Sequence, residues 1–281
     1  MKPIEALSLG WRTDLIFPRF DAHVIGRPDC VVVWTPQNPS FWWGNCLLFD
    51  HAPQPGDAAR WLARFDDEIV ARNPGTRHVA FGVDCAEPFV LPDDFAAAGF
   101  ELGAATVLTL RREQLRAPRT PFAPGYRAEV IDLDARGAEL VELQLASDEG
   151  RHPPADAYRL FRRRQLQRYL ALVQAGRGQW FAVVADDAGT SRMVADCGLF
   201  TDAAVGATLG RYQFVSTHPA WRRRGLCGAL IHAVALYGFE TLGLAELVIV
   251  ADPDDVAIGV YESVGFQRGA STWQLQRPPG A

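Results

Sequence analysis

The stretch Val215-Ser216-Thr217-His218-Pro219-Ala220-Trp221-Arg222-Arg223-Arg224-Gly225-Leu226-Cys227-Gly228-Ala229-Leu230 closes a β-like segment and opens an amphipathic helix through a basic, glycine-bearing turn. The first turn of a helix carries backbone N–H groups without intrahelical partners and the positive end of the macrodipole, so an anionic phosphate is stabilised there. Gly225 and Gly228 allow close backbone approach, and the three arginines add attraction and bidentate contacts to phosphate oxygens. Spacing excludes the familiar phosphate loops. No Lys-Ser/Thr pair follows the last glycine, Lys2 being the only lysine, and Gly225-x-x-Gly228 does not make G-x-G-x-x-G. The stretch therefore reads as a pyrophosphate cradle of another kind.

Further on, Asp252-Pro253-Asp254-Asp255-Val256-Ala257-Ile258-Gly259-Val260-Tyr261-Glu262-Ser263-Val264-Gly265-Phe266 reads as a capped helix, with Val256, Val260 and Val264 at helical spacing and Gly265 ending it. One strand, Leu244 to Val250, fits between the two segments.

Together these segments resemble the GNAT superfamily of N-acetyltransferases. Arg222, Gly225 and Cys227 stand at the defined positions of its Arg/Gln-x-x-Gly-x-Gly/Ala signature, Cys227 departing from the usual Gly or Ala. Ala257, Tyr261, Gly265 and Phe266 match its Asn-x-x-Ala-x-x-x-Tyr-x-x-x-Gly-Phe element, with Asp254 in place of Asn. The resemblance implies acetyl-CoA as cosubstrate. Its pyrophosphate would lie on Arg222, Arg223, Arg224, Gly225, Leu226, Cys227 and Gly228, its pantetheine along Phe214, Val215, Ser216 and Thr217, with Asp254 and Ala257 contributing from the second element.

The chain has 281 residues, enough for one large or two modest domains. A net charge of −5 offers no general attraction to nucleic acid or anionic membrane, and the arginine cluster is local. No apolar run reaches bilayer length and the first ten residues lack a signal-peptide pattern, so a cytoplasmic protein is expected. Cys30, Cys46, Cys85, Cys197 and Cys227 are odd in number and dispersed, as buried thiols would be, and the six histidines do not cluster as a zinc site would. No metal is expected.

The segment from Leu115 to Gly125 is Pro-rich and aperiodic, a linker between two halves that repeat. Gly99-Phe100-Glu101-Leu102-Gly103-Ala104-Ala105-Thr106 matches Gly265-Phe266-Gln267-Arg268-Gly269-Ala270-Ser271-Thr272 at five of eight positions, an offset of 166. Carried without a gap, this offset sets Pro53 on Pro219, Asp57 on Arg223, Ala59 on Gly225 and Phe95 on Tyr261. An aspartate at a helix start satisfies the free N–H groups itself and repels a diphosphate, so the first copy is expected neither to bind CoA nor to catalyse. The resulting fold class is α/β of the α+β type. Two GNAT-like domains are expected, a degenerate one at 1–116 and an acetyltransferase one at 126–281, with a linker at 117–125; each would be a mixed, mainly antiparallel, splayed sheet flanked by helices.

In the second half strands are expected at Tyr126–Ile131, Gln179–Ala185, Met193–Thr201, Leu209–Thr217 and Gln267–Gln276, with helices at Asp134–Ala146 and Asp156–Ala175. Asp186-Asp187-Ala188-Gly189 signals a turn between two of the strands.

Acetyl transfer to an amine needs a neutral amine, a stabilised oxyanion and a proton for the departing sulfur. Tyr261, a phenol of reference pKa near 10, suits the last need against a thiol of roughly 8.5. The general base is expected from Glu149, His152 or Asp196, in that order of preference. Trp42-Trp43 either packs in a core or lines a cleft or domain contact. The acceptor would be a small-molecule or peptide amine, with a homodimer as a candidate assembly. The rival readings are a non-catalytic acyl-CoA sensor and a protein-interaction scaffold.

Overall fold

A computed structural model of the chain describes residues 2–152, 154–187 and 189–280. It forms two compact units that are not consecutive lengths of chain. Unit 1 comprises residues 1–107, 251–253 and 269–281, and unit 2 residues 108–250 and 254–268.

Unit 1 contains α1 (Leu9–Asp14), α2 (Pro18–Asp21), β1 (His23–Gly26), β2 (Val31–Trp34), β3 (Asn45–Phe49), α3 (Asp57–Phe65), β4 (Val79–Val83), α4 (Asp93–Ala97) and the start of β5 (Glu101–Arg111). Strands β1, β2 and β3 pair antiparallel, and β3 pairs parallel with β4. Both faces of this sheet are covered, which is why its strands read as unbroken apolar runs. Val32, Leu47 and Phe49 point to one face with Trp61 and Phe65 of α3; Val31, Val33, Cys46 and Leu48 point to the other with Trp11 and Leu15. Trp43 packs against Trp11 at 5.7 Å and Trp42 stacks on His78 at 5.2 Å, so this tryptophan pair belongs to unit 1's packing.

Unit 2 follows with the end of β5, β6 (Tyr126–Val130), α5 (Leu133–Asp148), α6 (Ala155–Gln174), β7 (Gly178–Asp187), β8 (Thr190–Phe200), α7 (Ala203–Gly206), β9 (Leu209–Thr217), α8 (Leu226–Glu240), β10 (Glu246–Ala251), α9 (Ala257–Val264) and the start of β11 (Gln267–Arg277). The predicted elements are present with ends shifted by a few residues. The short α7 carries no sequence periodicity of its own; Asp202 caps it by accepting from Ala204 N at 3.0 Å. Ala188 of the predicted turn lies outside the described residues. Strands β6 to β9 pair antiparallel in order and β9 pairs parallel with β10. Trp180 and Phe200 pack with Tyr169 of α6, while the neighbouring Phe181 meets Tyr237 of α8; Leu230, Val234 and Leu247 are buried as well.

Three expectations are corrected. First, the domain limits differ: β11 pairs antiparallel with β4, Trp273 opposite Val83 through Arg277 opposite Val79, so the last strand belongs to unit 1 and not to 126–281. Residues 108–116, set in the first domain by sequence, belong to unit 2, where Arg116 N donates to Val264 O at 2.8 Å.

Second, among the described residues only the strands of unit 2 splay. In unit 2 the parallel register stops at Val248 opposite Arg211 while β9 runs six residues further. In unit 1 the parallel pairing reaches Phe49 opposite Val83, the last residue of each strand, and Asp84 N still donates to Phe49 O at 2.7 Å.

Third, the offset of 166 holds for β5 and β11 but becomes 169 at the helix starts, Asp57 of α3 and Leu226 of α8. Gly56, left-handed at φ 94°, thus matches Gly225 at φ 77°. The first copy keeps the glycine. It lacks an open site, because the Asp94 carboxylate accepts from Gly56 N and Ala58 N, both at 3.0 Å.

Candidate active site

A cleft of about 940 Å³ opens in unit 2 at the splay of β9 and β10. Its floor is the end of β9. Between Gly198 opposite Gln213 and Asp196 opposite Ser216 the register slips, so Phe214 and Val215 together face Cys197 in a bulge. Phe214 takes φ 49°, an uncommon conformation for a bulky residue, and the Arg162 guanidinium lies over its ring at 3.7 Å.

The cradle follows. Arg223 and Gly225 both take positive φ, turning the chain so that α8 starts at Leu226 with no side-chain cap. Its first N–H groups therefore remain for a ligand. A Cβ on Gly225 would collide with Thr120, which lines the cleft with Pro118 and Arg119, so the predicted linker forms part of the wall. The N–H of Cys227 is retained, and burial raises its thiol to about 12.

Of the predicted cofactor residues, Phe214 to Thr217, Arg222, Arg223, Gly225 to Gly228 and Ala257 line this cleft. Arg224 does not. Its guanidinium donates to Tyr126 Oη at 3.0 Å and stacks on Trp221 at 4.6 Å, a partnership that holds it away. Asp254 also lies outside; it is Asp255, accepting from Ala257 N at 2.8 Å just ahead of α9, that lines the cleft.

Tyr261 lines the cleft with 4% exposure, and burial, followed by Cys227 and Asp255, pushes its phenol well above the usual value. Glu149 lines it as well, but its carboxylate is held by Arg222 Nη1 at 2.6 Å. His152 is joined there by Asp148. The α5 helix ends in two left-handed residues, Glu149 and Gly150, which return the chain so that His152 N donates to Asp148 Oδ2 at 3.0 Å and His152 Nδ1 meets Asp148 Oδ1. Tyr158 stacks on the imidazole at 4.7 Å. Burial raises the Asp148 carboxyl, but hydrogen bonds from His152 outweigh it and leave the group below its ordinary value.

The third candidate base, Asp196, is fully buried and does not line the cleft. It touches it through Ser216, whose Oγ donates to Asp196 Oδ1. Burial, opposed by that bond, raises its carboxyl to about 6. Asp148 was missed by the sequence reading; its signal was an acid four residues before a histidine across a glycine.

Residues 138–266 match the model of the acetyltransferase (GNAT) family. No curated protein matches the sequence. Among solved structures, a functionally unknown conserved protein from Staphylococcus epidermidis superposes with a TM-score of 0.73 at 12% identity, over 92% of this chain and 95% of that one. A GCN5-related N-acetyltransferase from Kribbella flavida gives 0.60 at 15% identity, over 95% and 93%. A tandem GNAT protein from the clavulanic acid biosynthesis pathway gives 0.55 at 16% identity, over 84% and 76%. At these identities the likeness concerns the fold.

Proposed function

We propose that this chain, whose residues 138–266 belong to the acetyltransferase (GNAT) family, is an acetyl-CoA-dependent N-acetyltransferase acting on a primary amine of a small molecule or peptide. The observation that carries this reading is that one cleft joins an uncapped helix start, flanked by arginines, to a buried tyrosine and a carboxylate-bound histidine. Arg222, Arg223 and the N–H groups of residues 226–228 would hold the pyrophosphate, and the bulged end of β9 the pantetheine. When bound, acetyl-CoA supplies an activated acetyl group and a sulfur leaving group.

The chain's own residues manage the protons. Asp148 accepts from Nδ1 of His152, which leaves Nε2 as the basic nitrogen that takes a proton from the acceptor ammonium. Tyr261 is kept protonated by burial and holds its proton ready for the departing sulfur. Glu149, paired with Arg222, serves the cradle side instead.

Isothermal titration of acetyl-CoA into wild type and Arg223→Glu tests the reading. A dissociation constant of about micromolar order is expected for wild type and a loss of about 30-fold or more for the variant. Binding by wild type is then followed by a panel of primary amines with thiol release as readout. Absence of binding to wild type overturns the proposal; binding with no turnover on the panel leaves an acyl-CoA sensor.

A further inference from the structure

Buried beside the cleft lies a polar chain whose direction is fixed by its donors. Arg162 can only donate, and its Nε and Nη2 both give to Gln144 Oε1, at 2.9 and 2.6 Å. The other end of the amide is therefore Nε2, which donates to Asp196 Oδ2 at 2.8 Å. Trp180 Nε1, also a donor only, gives to the same oxygen at 3.2 Å. Two donors on Oδ2 leave Oδ1 for the Ser216 hydroxyl, the one member of the chain that lines the cleft.

The consequence falls on Ser216. With its proton committed inward, its oxygen presents only lone pairs to the cleft, so a group meeting it there must bring an N–H or O–H. Phosphate and thioester oxygens bring neither, whereas the pantetheine arm of acetyl-CoA carries two secondary amides. Ser216 stands between the β9 bulge at Phe214–Val215 and the cradle that begins at Arg222.

We infer that Asp196 is a positioning residue, which fixes the Ser216 hydroxyl as an acceptor for a pantetheine amide N–H of acyl-CoA. This rests on the acetyltransferase reading. Asp196 touches no substrate; it acts by deciding which way one hydroxyl proton points. Its raised value near 6 still leaves it a carboxylate at pH 8, the state that three inward donors require.

The test is calorimetric. CoA and ADP, which shares the diphosphate but lacks pantetheine, are titrated at pH 8 into wild type, Ser216→Ala, Asp196→Asn and the double variant. Ser216→Ala is expected to weaken CoA about tenfold, the measure of one hydrogen bond, and to leave ADP unchanged. In Asp196→Asn the two donors keep the amide oxygen at the Oδ2 place, so the NH2 faces Ser216 and turns its hydroxyl outward as a donor. CoA is expected to weaken at least as much, with no further loss when Asp196→Asn is added to Ser216→Ala.

Unchanged CoA affinity in Ser216→Ala overturns the assignment. An undiminished effect of Asp196→Asn in the Ser216→Ala background overturns the positioning role. Should Asp196→Asn fail to fold, Ser216→Ala with the CoA and ADP pair decides alone. A wild type that binds neither ligand overturns the acetyltransferase reading itself, an outcome distinct from binding that ignores Ser216.

Discussion

Arg222 Nη1 lies 2.6 Å from Glu149 Oε2, tying the first arginine of the cradle to the residue that ends α5. Both side chains are about half exposed, so the pair is worth at most about 1 kcal/mol. On the proposed function, a diphosphate at the cradle would compete with Glu149 for the same guanidinium. Glu149→Gln is expected to tighten acetyl-CoA by about two- to fivefold with kcat within about threefold of wild type. His152→Gln, which removes the proposed base, is expected to lower kcat by about 10²-fold. A large kcat loss in Glu149→Gln alone would return the base to Glu149; steady-state kinetics on both variants decide.

Tyr261→Phe removes one hydroxyl from a side chain that is otherwise packed. The expected result is a fall in kcat of about 10² with the acetyl-CoA dissociation constant unchanged, and an unaltered kcat would remove the acid role.

In unit 1 the Asp94 carboxylate serves as an internal anion at the start of α3. Asp94→Ala is expected to cost about 1 kcal/mol, read as a lowered melting temperature. Calorimetry on wild type is expected to give a single acetyl-CoA per chain, since Asp94 and the closed β3–β4 pair leave unit 1 no equivalent opening. Two equivalents would refute this.

His78, 3% exposed, is stacked on Trp42 with Nε2 3.2 Å from Asn45 O, and burial pulls its imidazole down to about 4. The unfolded chain's imidazole titrates near 6.5, so between these values the unfolded state binds more protons and stability rises with pH. Acidification from about 6.5 through about 4 is expected to remove about 3 kcal/mol. Urea unfolding at several pH values measures it, and His78→Gln should flatten that part of the curve.

Much of the helix-start side of the cleft was legible because it depends on backbone spacing. A helix start with Gly225 and Arg222 needs no distant partner to be recognised, and Tyr261 follows at a fixed interval from Ala257. The acceptor side was less so. Asp148 and His152 meet only because two consecutive left-handed residues turn the chain back, a geometry that Glu149 does not advertise. Arg224 and Arg223 are neighbours in an apparently uniform basic run, yet Trp221 and Tyr126 withdraw one of them. The true alignment of the copies was hidden by a shift of three residues between β5 and the helix starts, which a gapless comparison cannot absorb.

The pairing of β11 with β4 sets a timetable for the growing chain. Residues 1–107 are synthesised well before the strand that completes their sheet, which lies more than 160 residues further along the chain. Until residues 273–277 are made, β4 lacks the partner it has in the fold, and its open edge is an invitation to pair with a neighbouring nascent chain. Fragments ending near residue 125 inherit the same exposed edge, so a cut at that point does not yield two separable proteins.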